Sequence, residues 1–284
     1  MVIITAVRAA TTRANPTQET TMDHDALLAL YDRELRRDMI EPGAAREVTD
    51  HVVRMIRPKP ERSFIEYFTL DEGNADAVIA AEIEGFLARD LLFSWKVFGH
   101  DRPPDILRRL AAHGLTVDDE DVIMVLDLAE LSPRLSVPVT ADVRRLTDPA
   151  QLADVVGVLE AVYQVGFSWV YKRLGSQMAI PDYLSVFVAY VDERPAAVAW
   201  TFYPEGHFAT LWAGSTLEEM RGRGLYTALL AARLQEAVAR GKQFATLDAG
   251  PMSRPIVARH GFIELTTAND CRRPEEEIDR PQTA

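Results

Sequence analysis

Apolar positions along the chain switch repeatedly between a helical and a strand period. Leu28, Tyr31 and Leu35 fall at i, i+3 and i+7, which predicts an amphipathic helix over 23–40, ended by Pro42-Gly43. Two strand-like runs follow, His51 to Ile56 and Phe64 to Leu70, parted by Pro58 and Pro60. Ile79, Ile83, Phe86 and Leu87 keep a 3.6-residue period and predict a helix over 75–89. A strand from Leu92 to Phe98 comes next. A short helix then lies between Pro103-Pro104 and Gly114, before a Val/Ile-rich strand from Asp121 to Leu128. From residue 51 the order is therefore ββαβαβ.

The proline-punctuated stretch Leu131 to Pro138 reads as a link between domains. Beyond it the pattern predicts a strand from Val137 to Leu146 and helices at 149–164 and 166–175. Val186 to Val191 and Ala197 to Tyr203 form a hairpin around Asp192-Glu193-Arg194-Pro195. The strand Phe208 to Ala213 runs into Arg221-Gly222-Arg223-Gly224. A helix over 225–240 follows, with Tyr226, Leu230, Leu234 and Val238 on one face. Phe244 to Ala249 is a strand, Ser253 opens a short helix that Gly261 ends, and Phe262 to Thr267 is the last strand. The polar residues 269–284 are expected to fray.

At roughly 150 residues per domain, 284 residues suggest two domains. The expected division is a leader at 1–22, a first domain at 23–130, a second at 137–268 and a tail. A net charge of −12 argues against a nucleic-acid coat or an anionic membrane surface as partner. Lys59, Lys96, Lys172 and Lys242 are the four lysines, leaving 27 arginines; that skew reads as the coding bias of a GC-rich bacterial genome. Cys271 stands alone, so neither an intrachain disulfide nor a Cys-rich zinc site is expected, and no metal is called for. No apolar run reaches the roughly eighteen residues of a membrane helix, and residues 1–21 lack the layout of a signal peptide. The cytoplasm is the expected compartment, and a homodimer is left open.

The chemistry concentrates at Ser215-Thr216-Leu217 through Arg221-Gly222-Arg223-Gly224-Leu225-Tyr226. A strand, a glycine-bearing loop and a helix N-terminus together suit a phosphate: unpaired N–H groups point outward with the macrodipole behind them. Gly222 and Gly224 clear space, and Arg221 and Arg223 add charge at the rim. No P-loop pattern is present, and a dinucleotide fingerprint would want glycine at Thr227. Glu218 and Glu219, with no interleaved aromatics, argue against an RNA patch.

With its flanks this segment resembles the GNAT superfamily of N-acetyltransferases, whose acetyl-CoA loop reads [RQ]-x-x-G-x-[GA]. Arg221-Gly-Arg-Gly224-Leu-Tyr226 matches all but the last place. Ser253-Arg-Pro-Ile-Val-Ala-Arg-His-Gly261-Phe262 is similar to the superfamily's second motif. The element order from 137 to 267 is also the superfamily's, short of a final strand. The resemblance implies an α/β (α+β) fold, a mixed, mostly antiparallel sheet flanked by helices. It further implies acetyl-CoA as cosubstrate, an amine as acceptor, and a cofactor site including Ser215, Thr216, Leu217, Leu225 and Ser253. Two positions depart from it. Tyr226 replaces a Gly or Ala, so either the site is tighter or the ring points away. Val257 stands where many members place the tyrosine that protonates the leaving thiolate.

The first half then reads as a degenerate copy of the same unit, in tandem with the second. His113-Gly114-Leu115 would mirror His260-Gly261-Phe262. The loop Asp71-Glu72-Gly73-Asn74 carries acid where a pyrophosphate needs donors, so this copy is not expected to bind CoA. In the second half an amine would attack the thioester directly, with strand N–H groups between Ala213 and Leu217 stabilising the oxyanion. Tyr203, His207 and Asp248 are the candidates for proton transfer, although a packing tyrosine, a turn histidine and a loop aspartate read equally well. A CoA-binding protein without turnover is the alternative. Trp169, Tyr171, Trp200 and Trp212 read as pocket lining or as core. His100-Asp101 reads as a turn capping the next helix.

Overall fold

The computed structural model describes residues 23–274; the leader expected at 1–22 and the last ten residues of the tail lie outside them. Helix α1 (His24–Tyr31) runs on as a π-helical turn, Asp32–Arg37, in place of the continuous helix predicted to residue 40. The wider turn lets the adjacent Leu35 and Arg36 both face inward, at 6% and 3% exposure. Strands β1 (Ala45–Val48), β2 (Val52–Ile56) and β3 (Ser63–Phe68), helix α2 (Ala75–Ala88), β4 (Phe93–Phe98) and α3 (Ile106–Ala112) follow. Two short pieces, β1 and β5 (Thr116–Val117), have no counterpart in the sequence pattern; β6 (Asp121–Asp127) does.

The second half comprises α4 (Pro133–Ser136), β7 (Val143–Arg145), α5 (Leu152–Tyr163), α6 (Trp169–Met178) and the hairpin β8 (Leu184–Val191) and β9 (Arg194–Phe202). It continues with β10 (Phe208–Thr216), α7 (Leu225–Ala239), β11 (Phe244–Ala249), α8 (Arg254–Ala258) and β12 (Ile263–Arg272).

All of these strands join one mixed, mostly antiparallel sheet in the order β1-β2-β3-β4-β12-β6-β11-β10-β9-β8-β7, with β5 beside β12. The two parallel contacts occupy matching places in the two halves. Ser63–Ile65 pairs with Phe93–Trp95, and Phe208–Thr210 with Phe244–Thr246. Each contact lasts three residues before its strands part. The halves thus repeat one architecture, as the tandem expectation implies.

Their last strands are exchanged. β6, from the first half, pairs with the whole of β11 of the second, from Asp127↔Phe244 to Val122↔Ala249. β12, from the second half, pairs with β6 through Ile263–Ala268 and with β4 of the first half through Ala268–Arg272. The final strand missing from the second half's own order is therefore β6. The expectation of a frayed tail from 269 is corrected for its first residues: Asn269–Arg272 are ladder. Cys271 is fully buried there, and burial pushes its thiol up to about 12.

Helix α7 covers one face of the sheet through Leu229, Leu230 and Leu234, each at most 1% exposed. Helices α5 and α6 cover the opposite face over β8 and β9. On that same opposite face α1 seals the junction of the halves, against Phe98, Ile123, Phe208 and Phe244. His100 and Asp101 also differ from the capping turn expected. Asp101 accepts two bonds from Arg36, at 2.8 and 2.9 Å, while His100 meets Asp32 and Thr266, so both anchor the π-helical turn.

Candidate active site

The site forms where β10 and β11 part. Between Trp212 and Ser215 the pairing of β10 with β9 slips, and Ala213 takes φ +52°, a bulge that bends the strand away from β11. Beneath it lies Arg233 of α7, 2% exposed and without an ion pair among the described residues; its Nη1 donates to Trp212 O at 3.3 Å. Beyond the bulge, Leu217 donates its N–H to Ala196 O of the neighbouring strand. Because N–H groups alternate along a strand, that of Thr216 faces the opening. Of the three residues Ser215, Thr216 and Leu217, Thr216 therefore supplies the outward donor. The Ser215 hydroxyl instead meets Tyr163 Oη at 3.0 Å. Tyr163 closes α5, and burial raises its phenol. The sequence pattern gives no sign of this pair, since nothing links residue 163 to residue 215 before folding.

The loop after β10 ends in Gly222 (φ +75°) and Gly224 (φ +78°), the latter forming the N-cap of α7. No atom lies within 4 Å of where a Cβ would stand on either glycine, so the helix N-terminus is open to a ligand. Arg221 and Arg223 are exposed on this loop, neither in an ion pair among the described residues. Such a cradle fits a diphosphate. Leu225 turns inward at 6% exposure. Tyr226 resolves its alternatives by pointing away: its ring packs on the sheet over Gly214, where a Cβ would come within 2.7 Å of Cε2. Ser253 is 5% exposed and its hydroxyl donates to Gly250 O, fixing the turn at the end of β11. Val257 is fully buried in the core under α7.

The matching loop of the first half is closed on itself. The Asp71 carboxylate accepts the N–H groups of Gly73 and Asn74 at 2.8 and 3.0 Å, where an anion would otherwise bind at the start of α2.

The three proton-transfer candidates separate. Asp248, near the end of β11, stands at the mouth of the opening and is ion-paired with Lys96 of β4. Tyr203 and His207 lie beside the other end of α7, a helix about 22 Å long. Burial pushes the Tyr203 phenol up to about 12, and Arg240 stacks on its ring at 4.3 Å. His207 Nδ1 meets Glu34 Oε1 at 2.7 Å. An open crevice of about 760 Å³ lies at that far end, lined by Glu34, Tyr183, Tyr203, Arg240 and Lys242 among others. It is remote from the glycine loop. Of the four candidate lining aromatics, Trp200 is buried, Trp169 partly buried, and Tyr171 and Trp212 are 46% and 42% exposed. Among the described residues no group of three His, Cys, Asp or Glu could hold a metal ion, and no helix is long and apolar enough to cross a membrane.

Residues 138–255 match the family model of the acetyltransferase (GNAT) domain. Among solved structures, the chain is similar to a GCN5-related N-acetyltransferase from Kribbella flavida. They share 17% identity with a TM-score of 0.65, over 88% of this chain and 94% of that one. A functionally unknown conserved protein from Staphylococcus epidermidis gives 14% and 0.64, over 87% and 99%. A tandem GNAT protein from the clavulanic acid biosynthesis pathway gives 16% and 0.58, over 87% and 92%. No curated protein matches the sequence.

Proposed function

We propose, on the premise of a tandem GNAT-fold chain whose acetyltransferase domain spans residues 138–255, that this protein transfers an acetyl group from acetyl-CoA to a primary amine. The observation that carries the reading is the junction of two features. The strands β10 and β11 part at a bulge, and the same strand leads into an open, positive-φ glycine loop with two exposed arginines that make no ion pair among the described residues. One half of that junction suits a thioester arm, the other its diphosphate.

In this reading Gly222, Gly224 and the first N–H groups of α7 hold the diphosphate, with Arg221 and Arg223 at its rim. The Thr216 N–H receives the charge that develops on the thioester oxygen. The acceptor arrives as an ammonium, with a usual pKa near 10, and gives one proton to water before its nitrogen attacks. A bond forms between that nitrogen and the acetyl carbon as the C–S bond breaks. The departing sulfur takes a proton from the Tyr163–Ser215 hydroxyl pair, which stands in for the tyrosine that Val257 replaces and recovers its proton from the newly acylated nitrogen. The first half, its loop occupied by Asp71, carries no second cofactor site. The protein works in the bacterial cytoplasm, with a soluble amine rather than nucleic acid or membrane as partner.

Buried Val257 favours one other reading, a CoA-binding protein without turnover. A thermal-shift titration tests what the two share: acetyl-CoA at a hundred times its dissociation constant stabilises the fold by about 2.7 kcal/mol. Absence of any shift sinks both. Thiol release from acetyl-CoA with a panel of primary amines then separates the enzyme from the binder.

A further inference from the structure

Lys96 lies on β4 of the first half, yet its ammonium binds Asp248 Oδ2 on β11 of the second. Strands β12 and β6 lie between them, so this contact reaches across the exchanged pair. The lysine side chain is 13% exposed and the aspartate 18%. Other charged or titratable groups face the pair from every element packed there. Asp270 of β12 is the direct cross-strand partner of Lys96, Glu66 comes from β3, Tyr31 from α1 and Arg36 from the π-helical turn. Arg36 is already engaged by Asp32 and Asp101. Three carboxylates therefore surround one ammonium, and negative charge is left over. Burial beside these like charges pushes Glu66 up to about 7 and also raises Asp270.

The leftover charge sits where a cationic acceptor would arrive. Thr246 is level with Thr210 in the parallel ladder, so Asp248 stands level with Trp212 across the opening. Both follow the alternation of Phe244 and Phe208, which point to the α1 face. Trp212 is 42% exposed although it lies on an interior strand, leaving an aromatic surface on the same face as the carboxylate, across the opening. Without Lys96 the Asp248 carboxylate would lose its ion pair and face the Glu66 and Asp270 carboxyl groups and the Tyr31 phenol, so its position would no longer be fixed.

We propose that Lys96 is a positioning residue for the acceptor: it fixes the Asp248 carboxylate at the mouth of the opening, and that carboxylate holds the acceptor's ammonium against Trp212. The proposal rests on reading the second half as an acetyltransferase. It gives the first half a part in the chemistry although that half binds no cofactor.

The experiment measures thiol release from acetyl-CoA with spermidine, tyramine, glucosamine and a lysine-bearing peptide. Steady-state constants follow for the best amine with the wild type, Lys96→Met, Lys96→Arg, Asp248→Asn and the Lys96→Met/Asp248→Asn double variant. Lys96→Met is expected to raise the amine KM at least tenfold and to leave the acetyl-CoA KM within twofold. Lys96→Arg should recover most of the loss, and the double variant should be no worse than Asp248→Asn alone. An unchanged amine KM, an additive double variant, or an equal loss for acetyl-CoA overturns the proposal. If Lys96→Met fails to fold, Lys96→Gln against Lys96→Arg decides on the same constants. A wild type that binds acetyl-CoA but releases thiol to none of these amines overturns the transferase reading and this proposal with it. A flat Lys96 series on an active enzyme overturns this proposal alone.

Discussion

Gly214 and Tyr226 are a matched pair. The tyrosine that breaks the glycine-loop pattern is tolerated because the strand beneath it has no side chain at that point. Gly214→Ala should therefore lower the melting temperature by several degrees, since a Cβ at 2.7 Å from the ring forces a shift of packed core. Adding Tyr226→Ala should return part of that loss, and a double variant no better than Gly214→Ala would refute the pairing. Tyr163 offers a second check at this scale. Tyr163→Phe is expected to lower kcat by about a hundred- to ten-thousandfold, the range of a lost general acid. The acetyl-CoA dissociation constant, measured by calorimetry, should stay within twofold. Neither pair was legible in the chain. Position 226 showed only a departure from a pattern, and position 163 only a tyrosine at a helix end. Asp248 was legible as a residue type near a strand end. Its partner Lys96 was hidden in Phe-Ser-Trp-Lys-Val-Phe, where alternation says which face a side chain takes but not what lies three strands away.

Local elements were read with more success, because their causes are local. The 3.6-residue period gave α2, α5 and α7, and alternation with turn residues gave the β8–β9 hairpin. The π-helical turn leaves no local pattern because Arg36 is drawn inward by Asp32 and Asp101, and one of these lies 65 residues away. The tail's strand was missed because β4 and β6, not its own residues, make it a ladder. At the N-terminus of α7 the physics is local again and yields a sharp expectation. Gly224→Val places a branched side chain at φ +78°, in the space where a diphosphate would sit. Acetyl-CoA affinity should fall at least tenfold. The melting temperature should fall by only a few degrees, because strain of about 1–2 kcal/mol in a chain this long costs little more. Affinity within twofold of wild type would show that the loop does not hold the cofactor.

The whole molecule is tied together in two ways that span the halves. One is the Glu34 carboxylate, within the π-helical turn, which receives both the backbone N–H and the ring of His207 just before β10. Burial alone would raise this carboxyl, but the two His207 bonds outweigh it and hold Glu34 below the usual 4.5. A carboxyl depressed in the folded state adds stability that is fully present above that usual value and drains away as pH falls through the folded one. Glu34→Gln should therefore be less stable than wild type at pH 7, with the difference shrinking in chemical denaturation below about pH 4. The other tie is the exchange of β6 and β12. Residues 1–130 and 131–284 expressed apart should each fail to give a cooperative melt. Expressed together, they should assemble and recover acetyl-CoA binding. Either fragment melting cooperatively alone would contradict the exchanged sheet.

That exchange bears on what can be lost by descent. Deleting the first half would strip β6 from β11 and leave a central strand with a bare edge, the kind of surface that seeds aggregation. A gene carrying this fold cannot shed its first half and keep β11 covered. Drift is then tight along Asp121–Asp127, where any change is felt on the strand of the other half.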